Sequence, residues 1–127
     1  MAWGARRVLA LPVGGAFHSP LMEPARPALR AALAAAPFGA ARLPVVSNVD
    51  AAAHRAGWAA RLEAQLLAPV LWARTLGTLR DLGVELLVEC GPGGVLTGLA
   101  RRGAPGLRAV AVATPDDLAR LADCSRG

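Results

Sequence analysis

The sequence contains no lysine, no isoleucine and no tyrosine, and it has only two cysteines, two histidines and two phenylalanines. Without lysine, all 14 basic residues are arginine and the formal net charge of +5 is carried by guanidinium groups alone. They are scattered, the longest runs being Arg6-Arg7 and Arg101-Arg102. At 4% aromatics there is no stacking platform between them, so a nucleic-acid partner is not expected. Arginine without lysine, in a chain rich in Ala, Gly and Pro, reads instead as a coding bias, leaving a mild attraction for acidic partners. Cys90 and Cys124 form no CxxC pair and have no metal-ligand spacing. They are expected as reduced thiols, one buried at a strand end and one in a loose tail, with no metal and no cofactor. No apolar run approaches the ~18 residues of a membrane span. The first residues, Met1 to Arg7, lack the apolar core of a signal peptide, so a cytoplasmic protein without a membrane partner is expected. Charged residues are also scarce at 18%, and 54% of the chain is hydrophobic, which excludes a disordered polypeptide.

What is present alternates between strand and helix patterns. Residues 6–13 form a short apolar run ended by Gly14-Gly15 and read as a buried strand. Residues 16–20 are a loop. Met22 to Ala36 has helical spacing at Leu29, Ala32, Leu33 and Ala36, with Pro24 and Pro27 near its start. Leu43 to Val46 is a second strand, closed by the turn residues Ser47, Asn48 and Asp50. Residues 51–57 are a loop and Trp58 to Leu67 a helix. Pro69 opens a further helix that runs to Gly83, a C-cap. Val84 to Cys90 is the strongest strand, and Gly91 to Gly94 turns it into a helix over 95–102. Leu107 to Ala113 is the last strand, and residues 116–121 form a helix N-capped near Thr114 or Asp116. This order predicts an α/β architecture with a mainly parallel sheet. The sheet is small, and nothing before the first strand covers it.

Few residues could carry chemistry. His18 lies on a loop just after a strand, where α/β folds place functional groups, and its imidazole could exchange a proton near neutral pH. Position alone leaves it open between a base and a half-buried histidine bonded to backbone. Ser19 beside it reads as a turn residue. His54 reads as an exposed loop histidine, Asn48 and Asp50 as turn residues, and Gln65, polar among leucines, either as a residue whose amide or backbone faces a specific partner or, more simply, as an exposed helix glutamine. The Gly91–Gly94 turn resembles an anion cradle but lacks the Lys and Ser/Thr of a phosphate loop, so a tight strand-to-helix turn is the simpler reading. There is no G-x-S-x-G elbow. The residues thus offer one candidate base and no nucleophile.

Four segments, taken in order, resemble one family. Gly15-Ala16-Phe17-His18-Ser19-Pro20-Leu21-Met22-Glu23-Pro24 is similar to the catalytic-histidine segment of malonyl-CoA:acyl carrier protein transacylases. Leu43 to Asp50 contains their PVVSNVD stretch. Gln65-Leu66 with Pro69-Val70 and Trp72 matches QL..PV.W. Glu89 with Gly91-Pro92-Gly93 and Val95 to Leu99 matches E.GPGKVLTGL, except that Gly94 stands where the family usually has Lys.

The resemblance covers residues ~6–113 and corresponds to the C-terminal ~40% of the family's proteins. It implies transfer of malonyl from malonyl-CoA to the phosphopantetheine thiol of acyl carrier protein, in fatty-acid or polyketide synthesis. In the family the acyl group passes through a serine in a GHSLGE motif, and a neighbouring arginine binds the malonyl carboxylate. Neither motif occurs here. By resemblance, His18 is the general base that activates that serine, Gln65 supplies the backbone carbonyl that orients His18, and Phe17 disfavours bulkier extender units. The implied fold is the C-terminal part of an α/β-hydrolase-like acyltransferase core. Residues 5–11 would be the last strand of an inserted ferredoxin-like subdomain, 12–122 the large subdomain and 123–127 a frayed tail. The chain is therefore expected to need a missing N-terminal half. It is otherwise an inactive remnant, or one piece of a split acyltransferase.

Overall fold

The computed structural model describes residues 14–124 together with Gly4. The expected first strand (residues 6–13), its assignment to a small subdomain and residues 125–127 of the expected tail lie outside the described residues.

Ser19 starts the ordered helical segment. Its Oγ accepts from the Leu21 N–H at 3.3 Å, which caps a 3-10 helix over Pro20–Ala25. The α-helix α1 then runs over Arg26–Ala35. A single α-helix from Met22 was expected. Pro24 and Pro27 cannot donate backbone hydrogen bonds, and the first turns tighten instead.

Two short strands follow, β1 (Val45–Ser47) and β2 (Ala52–His54), paired antiparallel with Val46 opposite Ala53. β2 occupies part of the segment expected to be a loop. The turn between them depends on Asp50, whose Oδ1 accepts from the Ala52 N–H at 3.1 Å, and on Ala51, buried with φ 56°. Helix α2 spans Trp58–Gln65 and packs on α1. Arg26 and Arg30 of α1 both reach Glu63 of α2, through their Nε atoms at 2.8 and 2.9 Å.

Helix α3 covers Trp72–Asp81, starting three residues after Pro69 rather than at it. Gly83 ends it as expected. At φ 76°, its N–H donates to Arg80 O at 2.9 Å and the Val84 N–H to Leu79 O at 3.0 Å, a Schellman closure. Strand β3 (Leu86–Cys90), helix α4 (Val95–Gly103) and strand β4 (Arg108–Val112) form a β-α-β unit whose strands pair in parallel, Leu86 with Arg108 through Cys90 with Val112. Helix α5 spans Asp117–Cys124 and so continues into the expected tail. A turn over residues 114–117 leads into it, the Asp117 N–H donating to Thr114 O at 3.1 Å. The Asp117 carboxylate reaches back to accept from the Thr114 N–H and the Ala113 N–H, both at 2.9 Å.

The fold is α/β, as expected, but a mainly parallel sheet is not what these residues build. Among the described residues there are two separate two-stranded sheets, one antiparallel and one parallel. The core is small and lies where α3 and α4 meet the parallel pair: Leu76, Ala100 and Ala104 are buried, with Trp72, Leu87, Leu107 and Ala109 against them. Gly103 lets α4 approach α3, since a Cβ there would sit 3.0 Å from Leu76 Cδ1. Cys90, expected to be buried, is exposed at the end of β3.

Candidate functional site

Residues distant in sequence converge on the imidazole of His18. The loop that carries it is held from within. The Ser19 hydroxyl donates to Ala16 O at 2.7 Å, and the Met22 N–H donates to Ser19 O at 3.0 Å. His18 itself has φ 59°, a left-handed conformation that costs a non-glycine residue free energy and that marks functional positions more often than ordinary loops. Phe17, 67% exposed, folds its ring over Gly15, where a Cβ would meet Cε2 at 2.8 Å.

Gln65, the last residue of α2, comes up to this loop. Its backbone carbonyl lies 3.1 Å from His18 Nδ1, and its side-chain Nε2 lies 3.1 Å from the same nitrogen. Among the described residues His18 Nε2 makes no hydrogen bond, and the ring is exposed. A proton on Nδ1, donated to the carbonyl, leaves a lone pair on Nε2 directed at solvent. That is the arrangement a general base requires. Gln65 is half-buried, not the exposed helix residue its sequence context suggested.

Asn48, read from sequence as a turn residue, reaches much further. Its Oδ1 accepts from the Leu71 N–H at 2.7 Å, and its Nδ2 donates to Gln65 Oε1 at 2.8 Å and to Pro69 O at 3.2 Å. One amide thus ties the end of β1 to the α2–α3 connection. The Ser-Asn that follows a short apolar run was the only sequence signal, and it also describes an ordinary turn.

The second histidine is separate. His54, expected on an exposed loop, lies in β2 with its side chain 20% exposed. Its Nε2 lies 2.8 Å from Asp50 Oδ2, and Arg61 Nη2 donates to its Nδ1 at 2.9 Å. The arginine N–H can only donate, so Nδ1 is the acceptor of this pair and Nε2 faces Asp50. The Ala52 N–H, and after it His54, hold the Asp50 carboxyl below the usual carboxylate range. This cluster braces the hairpin and offers no open reactive atom.

The Gly91–Gly94 turn is occupied from within the chain. The carboxylate of Glu89 accepts from the Thr97 N–H at 2.8 Å and the Leu96 N–H at 3.1 Å, filling the N-terminus of α4. Chiefly through the Thr97 bond, its pKa is held down. An exogenous anion would have to displace this internal one, so the turn is a structural joint.

No protein-family profile matches the chain. It is 43% identical over 120 residues to the malonyl CoA-acyl carrier protein transacylase of Escherichia coli K12, an alignment that covers 93% of the chain and 39% of that protein. The crystal structure of Synechocystis sp. PCC 6803 malonyl-CoA:ACP transacylase superposes with TM-score 0.83 at 37% identity, over 91% of the chain and 40% of that structure. A malonyl-transacylase solved in complex with its type II PKS acyl-carrier protein superposes equally well, with TM-score 0.83 at 40% identity and coverage of 94% and 40%. The chain therefore spans about two fifths of the length of the proteins it matches.

Proposed function

Over the stretch it spans, the chain belongs to the malonyl-CoA:acyl carrier protein transacylase family, and from that premise we propose that it supplies the histidine side of a malonyl-transfer site. The observation that carries this reading is the 3.1 Å approach of His18 Nδ1 to the Gln65 carbonyl, with Nε2 left unbonded.

The nucleophilic serine, in this reading, comes from polypeptide outside these 127 residues. His18 Nε2 takes the serine proton as the oxygen attacks the thioester carbonyl of malonyl-CoA. The C–S bond breaks, and His18 returns the proton to the departing thiolate of coenzyme A. The phosphopantetheine thiol of acyl carrier protein then gives its proton to His18 and attacks the serine ester. The C–O bond breaks and the serine oxygen regains its proton. The Gln65 carbonyl stabilises the imidazolium formed in each half-reaction. Phe17 stands beside His18, where its ring would crowd a branched α-carbon; one methyl group is worth about 1–3 kcal/mol of discrimination. Malonyl-CoA and acyl carrier protein as substrates are consistent with a cytoplasmic setting for this chemistry.

Reconstitution tests the proposal. The chain is mixed with, or joined to, the remaining three fifths of a relative that carries the serine. Malonyl transfer from malonyl-CoA to holo acyl carrier protein is then followed. The chain alone should give no transfer, because its sequence has no GHSLGE serine to carry the acyl group. The reconstituted enzyme should turn over, and His18→Ala should reduce kcat by about 10³-fold or more. Turnover that survives His18→Ala overturns the reading. A pair that binds without turning over would leave the chain as an inactive interaction piece.

A further inference from the structure

Two groups of one residue compete for one ring nitrogen. The carbonyl oxygen and the side-chain Nε2 of Gln65 both lie 3.1 Å from His18 Nδ1. The carbonyl can only accept, so it requires a proton on Nδ1. The amide nitrogen can only donate, so it requires a lone pair there. Neutral imidazole has a single ring proton. The first arrangement leaves Nε2 a base; the second puts the proton on Nε2 and removes the base. The balance depends on which end of the Gln65 amide faces the ring.

That choice is traceable through the chain. The Leu71 N–H is a backbone donor, so the atom 2.7 Å from it must be the oxygen of Asn48. Nδ2 of Asn48 then faces Pro69 O at 3.2 Å and Gln65 at 2.8 Å, so the Gln65 atom it meets must be Oε1. This leaves Gln65 Nε2 turned toward Ala68 O, at 3.3 Å, and toward His18. Every contact in the series has one chemically allowed sense, and all agree.

We propose that Asn48 is a positioning residue that sets the tautomer of His18 through the Gln65 side-chain amide, holding part of the population with its proton on Nε2. Its consequence for malonyl transfer rests on the function proposed above, but the tautomer itself does not. Withdrawing the Gln65 amide, on approach of substrate or by mutation, leaves the carbonyl as sole partner of Nδ1 and frees Nε2 as a base.

The test is imidazole ¹⁵N NMR on the full chain, at a pH where both histidines are neutral. Only two rings contribute, and His18→Gln assigns them. Gln65→Leu removes the competing donor. Asn48→Asp keeps the acceptor for the Leu71 N–H but presents oxygen to Gln65, so its amide turns over and offers Oε1 to the ring. Both variants should move His18 toward the Nδ1–H form, changing the tautomer ratio by about two- to tenfold, the range that one net hydrogen bond commands. His54, held by Asp50 and Arg61, should not move. If Asn48→Asp loses the His54 signal through unfolding, Gln65→Leu alone decides. Unchanged His18 shifts in a folded Gln65→Leu chain overturn the proposal. Because this readout needs no turnover, its failure and failure of the transferase reading are separate results.

Discussion

Glu63 shows how much one side chain can be asked to do in a chain without lysine. It accepts from Arg30 and Arg26, which together join α1 to α2, and these bonds hold its pKa at about 2 against an ordinary 4.5. A carboxyl depressed in the folded state stabilises that state fully above the ordinary range, and the stabilisation is lost as pH falls from there through the folded value. The expected outcome is a urea midpoint that declines between pH 4.5 and 2 and declines less in Glu63→Gln. Identical acid profiles would show that the arginines contribute nothing through this group. The pairing was not legible in the sequence, since 33 and 37 residues separate the partners. The same holds for Asn48 and Gln65. What the sequence did expose was residue type and local context, which is why Ser19, a turn residue in both, was read well.

Elements were legible where local chemistry decides them. Gly83 is the clearest case: the end of an apolar helical pattern followed by glycine predicts the Schellman closure that forms. Nothing lies within 4 Å of a Cβ built at Gly83, so the cost of Gly83→Ala comes from its φ of 76° alone and should be about 1–2 kcal/mol. Gly77, inside α3 and equally open, should respond oppositely, with Gly77→Ala stabilising by about 0.5–1 kcal/mol. Thermal unfolding of the two variants checks both signs. Strand β2 was illegible for the converse reason. Its residues, Ala52–His54, have no β-branched side chain and no alternation. Pairing with β1 and bonds to its flanks hold the segment: Ala41 N–H donates to Arg55 O at 2.7 Å and Thr78 Oγ1 to Ala51 O at 2.6 Å.

At the scale of the whole molecule, burial is thin. Among the described residues the buried hydrophobic core is only Ala51, Leu76, Ala100 and Ala104. Leu21, Leu43 and Val95 are each at least 70% exposed, and among the described residues no large side chain is fully buried. The relatives that this chain matches carry about three fifths of their length outside the matched stretch. Leu76, 2% exposed, is then disproportionately important. Leu76→Ala should remove about 2–5 kcal/mol, and from so small a core that is enough to abolish a cooperative urea transition. A transition of unchanged midpoint would show that stability resides elsewhere.

The sequence by itself determined the α/β class, the approximate place of most elements and the family, because periodicity, caps and short motifs are local and chemically specific. It also brought His18 and Gln65 together, through resemblance to proteins that share their motifs. Only the tertiary structure decided that Asn48 reaches Gln65 and Leu71, that His54 is braced by Asp50 and Arg61, that Glu89 fills the N-terminus of α4, and that the described strands form two sheets. Such pairings depend on which elements meet in space, and a polar side chain shows in sequence that it needs a partner without showing which one.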